Sequence, residues 1–445
     1  MPLAARLTAA ETAYILDDSG ARAVFCDQDQ ASVVQAAQAS AAPEALLLCT
    51  GEAEGIAALD DALGRAGAAL DDPGLDDPVE GLDMLYTSGT TGRPKGVKRP
   101  LSGDPLGSDR RRVDRSKALF DMDPQMVFLS PAPLYHAAPL RFAMTVLRIG
   151  GTVVLLEKFE PRAALAALDA HRVTHSQWVP TMFSRLLDLP VETRADVDLS
   201  AHRAAIHAGA PCPIPVKRAM IDWWGPILHE YYSGTESIGF THVTAREWLE
   251  RPGTVGRAWS CHIHIVGEDG RELGPNAVGT VYFSGGKPLT YHNAPDKTAQ
   301  ARHAAGWATM GDLGYVDADG YLFLTDRKAF TIVSGGVNVY PKEVEDVLMA
   351  VPGVRDAAVF GVPDPDLGEA VQAVVETGPE TPAEAATVDR LMTYLRSHLA
   401  GFKCPRYIDF VDRLPRLDTG KVQKHALRDA YSDPARRGFA TRECV

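Results

Sequence analysis

Five short stretches gather the residues able to do chemistry. The first, LYTSGTTGRPKGV at 85–97, sets Thr87, Ser88, Gly89, Thr90, Thr91 and Gly92 ahead of Lys95. Small residues let several backbone N–H groups and hydroxyls converge on one anion, and the lysine adds a fixed positive charge. The spacing is not GxxxxGK[ST], because Lys95 follows Gly92 by three residues and is itself followed by Gly96. The second, YYSGTES at 231–237, ends an apolar strand that starts near Ile227. A carboxylate there, Glu236 beside Thr235, suits a magnesium ion held next to phosphate oxygens. Taken alone, Glu236 is better read as a charged loop residue.

The third stretch, GWATMGDLGYVDADGYLFLTDRKAF at 306–330, offers Asp312 and Arg327. An acid accepting two hydroxyl hydrogens is a usual grip on a ribose, although in isolation a turn aspartate and a surface arginine explain both residues. The fourth, LPRLDTGKVQKHALR at 414–428, places Lys421 after a glycine turn, as a point charge for a carboxylate or phosphate or as an exposed structural lysine. The fifth, PLYHAAPL at 133–140, centres on His136. A histidine in so apolar a setting reads first as a core residue satisfied by one hydrogen bond, and second as the gate of a pocket. No Ser-His-Asp spacing, HExxH helix or GxGxxG after a strand accompanies them.

Such residues need a large, layered scaffold. With 445 residues, 45% of them hydrophobic, the chain can bury two or three domain cores. Lys plus Arg total 45 against 58 for Asp plus Glu, and the net charge of −13 argues against broad nucleic-acid or anionic-membrane binding. Six cysteines (26, 49, 212, 261, 404 and 444) lie far apart, which fits a reducing cytoplasm better than a disulfide framework or a zinc site. No run approaches the roughly 20 apolar residues of a membrane span, and the N-terminus lacks the centre of a signal peptide. Thr8 with Glu11 predicts a capping box opening a helix.

Strands and helices alternate to about 240, through ARAVFCD, EALLLCT, MVFLSPAP, GTVVLLE, PRAALAALDAHR, THSQWVP, TMFSRLLDL, RAAIHAGA, VKRAMIDWWG and PILHEYYS. That alternation predicts α/β layers. Residues 98–123, with Arg110, Arg111 and Arg112, read as a solvated loop face. After 250 the turns EDGR and DADG separate short β-strands, and beyond about 327 a compact α+β tail follows. The expected fold is therefore α/β, with layered α/β subdomains and a β-rich subdomain over 1–327, then a small α+β domain over 328–445.

In this order the motifs resemble those of the adenylate-forming (AMP-binding) superfamily, in its acyl-CoA synthetase branch. YTSGTTGRPKGV resembles its phosphate loop, YYSGTE its tyrosine motif, MGDLGYVDADGYLFLTDR its ribose segment, SGGVNVYPKEVE the opening of its small domain, and LPRLDTGKVQK its C-terminal lysine motif. The likeness runs from about residue 7 to about 428, and VYPKEVEDVL followed by VPGVRDAAVFGVPDPDLGEA is closest to the acyl-CoA synthetases.

The resemblance implies an ATP-dependent acid–CoA ligase that forms an acyl-AMP, releases pyrophosphate, then makes a thioester with CoA. It implies that Thr87, Ser88, Gly89, Thr90, Thr91, Gly92 and Lys95 hold the β- and γ-phosphates. Glu236 would bind Mg2+, with Thr235 near the α-phosphate. Tyr232 would stack on adenine across from Gly209, Ala210 and Pro211, while Asp312 and Arg327 hold the ribose. Lys421 would bridge the acid and the α-phosphate. The small domain, 328–445, would then swing and bring Gly335 and Gly336 to the pantetheine. His136, Trp178, Thr181 and His207 are expected at the acyl pocket, and the acid is expected to be a hydrophobic fatty, alicyclic, steroid or aryl one. A cytoplasmic enzyme of small molecules, monomeric or homodimeric, is the expectation.

Three departures qualify the likeness. Ser233 replaces a usual glycine, and Ala329 with Lys328 beside it occupies the family's hinge. RLTAAETAYILDDSGARAVF resembles a point inside the family's large domain, so an N-terminal portion is expected to be missing. Two alternatives stand beside the CoA ligase: an adenylation enzyme that loads a carrier protein, and a non-catalytic nucleotide-binding homologue.

Overall fold

Thr8 and Glu11 form the reciprocal box expected of them, and it opens α1 (Ala9–Ser19). Thr8 Oγ accepts from Glu11 N at 3.3 Å, and Glu11 Oε2 accepts from Thr8 N at 2.8 Å. The computed structural model describes residues 1–69, 78–87, 94–101, 103–108, 110–286, 289–327, 330–334, 337–378, 380–416 and 421–441. The chain forms two units. One comprises Met1–Arg115, Leu134–Leu140 and Pro288–Gln300; the other comprises Ser116–Pro133, Arg141–Lys287 and Ala301–Val445.

In the first unit β1 (Ala23–Asp27), α2 (Ala31–Ala41), β2 (Leu46–Thr50) and β3 (Ala57–Ala58) build a parallel three-stranded sheet, β1-β2-β3, with its helix. Leu16, Val24, Ala37 and Ala45 pack as its core. After α3 (Leu59–Ala69), β4 (Leu85–Thr87) pairs antiparallel with β5 (Lys95–Val97).

Residues 98–123, expected as a solvated loop, instead contain α4 (Arg111–Phe120). The reason lies in spacing: Ser116 and Phe120, four residues apart, bury one face of the helix, while Arg111, Asp114 and Lys117 are exposed.

The second unit is organised by a seven-stranded sheet, whose first strand is β6 (Val127–Ser130). α5 (Ala137–Ile149), β7 (Thr152–Leu155), α6 (Pro161–Ala170), β8 (His175–Trp178), α7 (Pro180–Leu187), α8 (Val191–Ala195), β9 (Ala204–His207), α9 (Ile214–Trp224) and β10 (Leu228–Tyr232) then alternate as predicted. β10-β9-β8-β6-β7 are parallel, and β11 (Thr241–Thr244) and, beyond α10 (Ala245–Glu250) in the chain, β12 (Arg257–Ala258) extend the sheet antiparallel. Strands this deeply covered are usually apolar. β8 is polar yet buried throughout, and most of its polar atoms are satisfied locally: His175 Nε2 lies 2.8 Å from Phe120 O, and Gln177 Nε2 donates to Trp178 O at 3.0 Å, while Gln177 Oε1 has no partner among the described residues.

β13 (His262–Val266), β14 (Gly279–Ser284), β15 (Ala308–Val316) and β16 (Leu322–Arg327) form the expected β-rich sheet; α11 (Pro295–Gln300), between β14 and β15 in sequence, belongs to the first unit. β17 (Ile332–Ser334), β18 (Val337–Val339), α12 (Pro341–Met349), β19 (Val354–Asp364), β20 (Gly368–Thr377), α13 (Ala385–His398), β21 (Tyr407–Val411), α14 (Lys424–Tyr431) and β22 (Phe439–Ala440) make the α+β tail. Leu129, Trp178, Phe183 and Trp248 belong to one core, whereas Ile332, Val344, Val371, Leu391 and Ile408 form another beyond residue 327. No helix among the described residues is long and apolar enough to cross a membrane.

Candidate active site

The first unit holds a rigidly rooted hairpin. Register pairs Leu85 with Val97, Tyr86 with Gly96 and Thr87 with Lys95, so Thr87 and Lys95 face one another where the glycine-rich loop leaves and returns. Ser88, Gly89, Thr90, Thr91 and Gly92 lie outside the described residues. His292 N donates to Gly96 O at 2.7 Å and Lys98 N to Thr290 O at 3.1 Å, which lays the 290–292 segment along β5. Gly96 permits that closeness, because a Cβ there would lie 3.2 Å from His292 Cβ and 3.1 Å from Tyr86 Cζ. Lys95 Nζ sits 5.5 Å from the Tyr291 ring centre.

The arms of the hairpin are tied to α1. Tyr86 OH donates to Asp18 Oδ2 at 2.6 Å, His292 Nε2 is 2.8 Å from Asp18 O, and Tyr14 OH donates to Pro94 O at 3.3 Å. Burial first, and then the Asp18 carboxylate, push the Tyr86 phenol far above its ordinary range. At the base Arg99 Nη2 meets Asp83 Oδ1 at 2.6 Å, their side chains only 8% and 5% exposed, and Arg112 reaches the same oxygen at 3.4 Å. His136 also belongs to this unit. Its ring packs on Tyr135, centroids 4.3 Å apart, and its carbonyl accepts from Leu140 N at 3.2 Å.

The second unit joins two motifs that lie eighty residues apart. Tyr232, the last residue of β10, donates its hydroxyl to Asp312 Oδ2, and Asp312 is opposite Arg327 in the β15–β16 ladder. Asp312 is 8% exposed. β9 and β10 are parallel neighbours with His207 opposite Glu230, so the turn Gly209–Ala210–Pro211 and Tyr232 emerge at the same edge of the sheet. The C-terminal edge of parallel strands is where α/β sheets take their ligands. Gly209 adopts φ 92°, which suits glycine.

Thr235 and Glu236 ride on the turn that follows β10. Ser233, the residue standing where a glycine was expected, donates to Gly239 O at 2.7 Å and so closes the turn. Ser237 N donates to Gly234 O at 3.1 Å, with Ser237 in the left-handed region at φ 54°. A Cβ on Gly234 would run into the Met310 side chain and to within 2.5 Å of Glu236 Oε2. The absent side chain makes room for the Glu236 carboxylate, an oxygen donor of the kind that suits Mg2+. Arg141 of α5 donates to Thr235 O at 3.1 Å and to Ser237 Oγ at 3.2 Å, bracketing Glu236.

Trp178 and His207 are opposite each other in register and fully buried. They sit in an aromatic layer: Phe183 contacts both rings, at 6.1 and 5.3 Å, and Trp224 lies 5.4 Å from Trp178. Burial, and next the Lys217 charge, hold His207 well below its usual pKa. Lys217 itself is buried and donates to Glu230 Oε2 at 2.5 Å, 3.8 Å from His207 Nε2 in turn. Thr181 stands half-buried in the first turn of α7.

Lys421 is exposed and begins the return arm of a hairpin in the tail. Arg416 pairs with Val422 across residues 417–420, which lie outside the described residues, as do Gly335 and Gly336. Gln423 N donates to Pro415 O at 2.9 Å, Leu414 N to Glu376 Oε2 at 3.0 Å, Arg416 pairs with Asp356, and Lys424 meets Glu345 at 2.7 Å.

The sequence reading missed Arg141, Lys217 and Glu230. One signal was available for Arg141: a single cation within the apolar face AAPLRFAM. Lys217 gave none, since VKRAM reads as an ordinary exposed helix start.

The model of the AMP-binding enzyme family matches residues 1–289, and that of the AMP-binding enzyme C-terminal domain matches 343–421. A feruloyl-CoA synthase of Amycolatopsis sp. is 34% identical over 97% of this chain and 83% of its own length. A long-chain-fatty-acid–CoA ligase of Mycobacterium tuberculosis is 32% identical, with 97% and 83% covered. The ATP-bound structure of MatB from Rhodopseudomonas palustris superposes with a TM-score of 0.82 at 32% identity, over 98% of this chain and 84% of that one.

Proposed function

The chain belongs to the AMP-binding enzyme family as an AMP-forming acid–thiol ligase, and from that premise we propose that it activates a hydrophobic carboxylic acid and transfers it to CoA. Fatty, alicyclic, steroid and aryl acids are the classes proposed, on the apolar setting of His136 in PLYHAAPL. The observation that carries the nucleotide part of this reading is the Tyr232–Asp312 hydrogen bond, which joins the tyrosine motif to the ribose segment.

In the first half-reaction a carboxylate oxygen attacks the α-phosphorus of ATP, and the bond from that phosphorus to the bridging oxygen breaks. Acyl-AMP forms and pyrophosphate leaves. Thr87 and Lys95, with the loop between them, hold the departing phosphates, and the Lys95 charge meets the charge growing on the bridging oxygen. Tyr232 stacks on adenine across from the Gly209–Pro211 turn. Asp312, which accepts from the Tyr232 hydroxyl, and Arg327 hold the ribose hydroxyls. Thr235 donates near the α-phosphate, and Lys421 bridges the incoming carboxylate and that phosphate. Glu236 is the residue to hold Mg2+, an ion that supplies charge neutralisation when bound.

In the second half-reaction the CoA thiol loses its proton and its sulfur attacks the acyl carbon. The carbon–oxygen bond to AMP breaks, and thioester and AMP are released. The small domain, 328–445, turns between the two steps, withdrawing Lys421 and bringing Gly335–Gly336 to the pantetheine. His136 in the first unit, and Trp178, Thr181 and His207 in the second, are the residues assigned to the acyl group.

A panel of acids assayed for pyrophosphate release, by hydroxamate trapping and then with CoA, tests this directly. Release that leads to a thioester is the expected result. Release without a thioester points to a carrier protein as acceptor, and no release with any acid leaves a nucleotide-binding homologue.

A further inference from the structure

We propose that Arg141 is a positioning residue of the adenylation step, setting the turn on which Thr235 and Glu236 act; this rests on the ligase reading above. The guanidinium spans the turn: one nitrogen donates to Thr235 O at 3.1 Å, the other to Ser237 Oγ at 3.2 Å. The residue between these two acceptors is Glu236. A planar fork with fixed donors can hold two acceptors at a set separation, which a lysine point charge cannot do.

The turn needs such a brace. Ser237 holds φ 54°, a region that non-glycine residues occupy only when their surroundings over-determine it. Gly234, packed against Met310, stops the turn from sliding inward, and Ser233 closes it onto Gly239. Those two restraints act on the near side of Glu236 and on the backbone. Arg141 alone among the described partners of the turn restrains both neighbours of the carboxylate from outside it. It is carried by α5, a regular helix of 13 residues, so the turn is referenced to a rigid element rather than to another loop. Arg141 touches neither substrate nor metal in this scheme; it acts through Thr235 and Glu236.

Outer partners that orient a metal ligand typically account for about 10- to 100-fold in metal affinity or activity. Arg141→Ala is therefore expected to slow acid-dependent pyrophosphate release about 10- to 100-fold and to raise the Mg2+ concentration for half-maximal rate by about 10-fold. Thioester formation from supplied acyl-AMP is expected to stay within about 2-fold of wild type, since that step does not use the Glu236 ion. Arg141→Lys, able to reach only one acceptor at a time, is expected to fall between the two. Mn2+ binding in the presence of ATP, followed by electron paramagnetic resonance, gives a readout that needs no turnover, and Arg141→Ala is expected to weaken it by a similar factor.

Ser237→Gly removes one acceptor without touching the arginine, and is expected to shift Mn2+ affinity in the same direction by less. Unchanged metal dependence in Arg141→Ala, or equal loss of both half-reactions, overturns the proposal. Should the wild type release no pyrophosphate with any acid, the ligase reading fails, and the Mn2+ titration alone still decides Arg141.

Discussion

Lys95 and Lys421 each begin the return arm of a hairpin after a glycine-rich turn, Thr87 pairing with Lys95 in one and Arg416 with Val422 in the other. The first hairpin is rooted in backbone and buried groups. A third segment lies along β5, Tyr86 is bonded to Asp18, and the Asp83–Arg99 pair at the base is almost wholly enclosed. The second adds to its own backbone bonds, Gln423 N to Pro415 O and the Arg416–Val422 bridge, ion pairs more open to solvent than the first's, Arg416 with Asp356 and Lys424 with Glu345. In the roles proposed above, a clamp for a leaving group must not move, whereas a lysine used in one step and withdrawn for the next must travel with its domain. Two similar local sequences are thus set apart by what holds them.

The sharpest way to break this contrast is to remove each lysine in turn. Lys421→Ala is expected to lower the rate of adenylation by about 10³-fold while sparing thioester formation from supplied acyl-AMP. Lys95→Ala is expected to weaken adenylation less and chiefly through ATP affinity. Stopped-flow measurement of the two half-reactions checks both, and equal loss in each half-reaction for Lys421→Ala contradicts the assignment. Next in size is Asp83→Ala. It removes the carboxylate that Arg99 and Arg112 share, and breaking one side of a buried pair typically costs about 3 kcal/mol or more. Denaturant unfolding is expected to show that loss, and a loss below about 1 kcal/mol would mean that the hairpin is rooted elsewhere.

Acid separates the two units rather than the two hairpins. His229 Nδ1 and His242 Nε2 lie 3.0 Å apart in the second unit, and burial pushes each down to about 4. An unfolded chain takes up protons on these rings near pH 6.5, before the folded one does. Stability is therefore intact above pH 6.5 and falls as pH drops towards 4, by about 2 kcal/mol per ring at pH 5 as an upper bound. Melting temperature measured between pH 7.5 and 5 checks this. His242→Gln is expected to flatten the slope, and an unaltered slope would assign the acid response to other groups.

How much of this was legible depended on sequence distance. The α1 capping box, the alternating α/β elements and the order of the five motifs are local patterns, and the structure bears out the first two. Tyr232–Asp312, Arg141 with the 235–237 turn, and Lys217–Glu230 join residues 80, 94 to 96 and 13 positions apart, and only packing brings them together. α4 was misread because charge outweighed the spacing of two small or apolar positions, Ser116 and Phe120. Trp178 and His207, expected at the acyl pocket from the resemblance, pack with Phe183 in an aromatic layer whose members lie far apart in sequence.

The finest test of the contrast is Glu345→Gln. Glu345 Oε1 is 2.7 Å from Lys424 Nζ and also accepts from Val359 N at 2.8 Å, so it ties the start of α14 to β19. Glutamine keeps the acceptor for Val359 and removes the charge. Pairs of this kind, open in part to solvent, contribute about 0.5–1 kcal/mol and weaken with salt. The variant is expected to lose no more than that in stability and to slow adenylation by less than about 3-fold. The difference from wild type should shrink as ionic strength rises, because screening already weakens the pair in the parent. Asp83→Ala should show no such convergence, since its partner is shielded from the solvent. If both variants responded to salt alike, the two hairpins would be rooted by the same forces, and the distinction between a fixed clamp and a delivered lysine would have to come from domain motion alone.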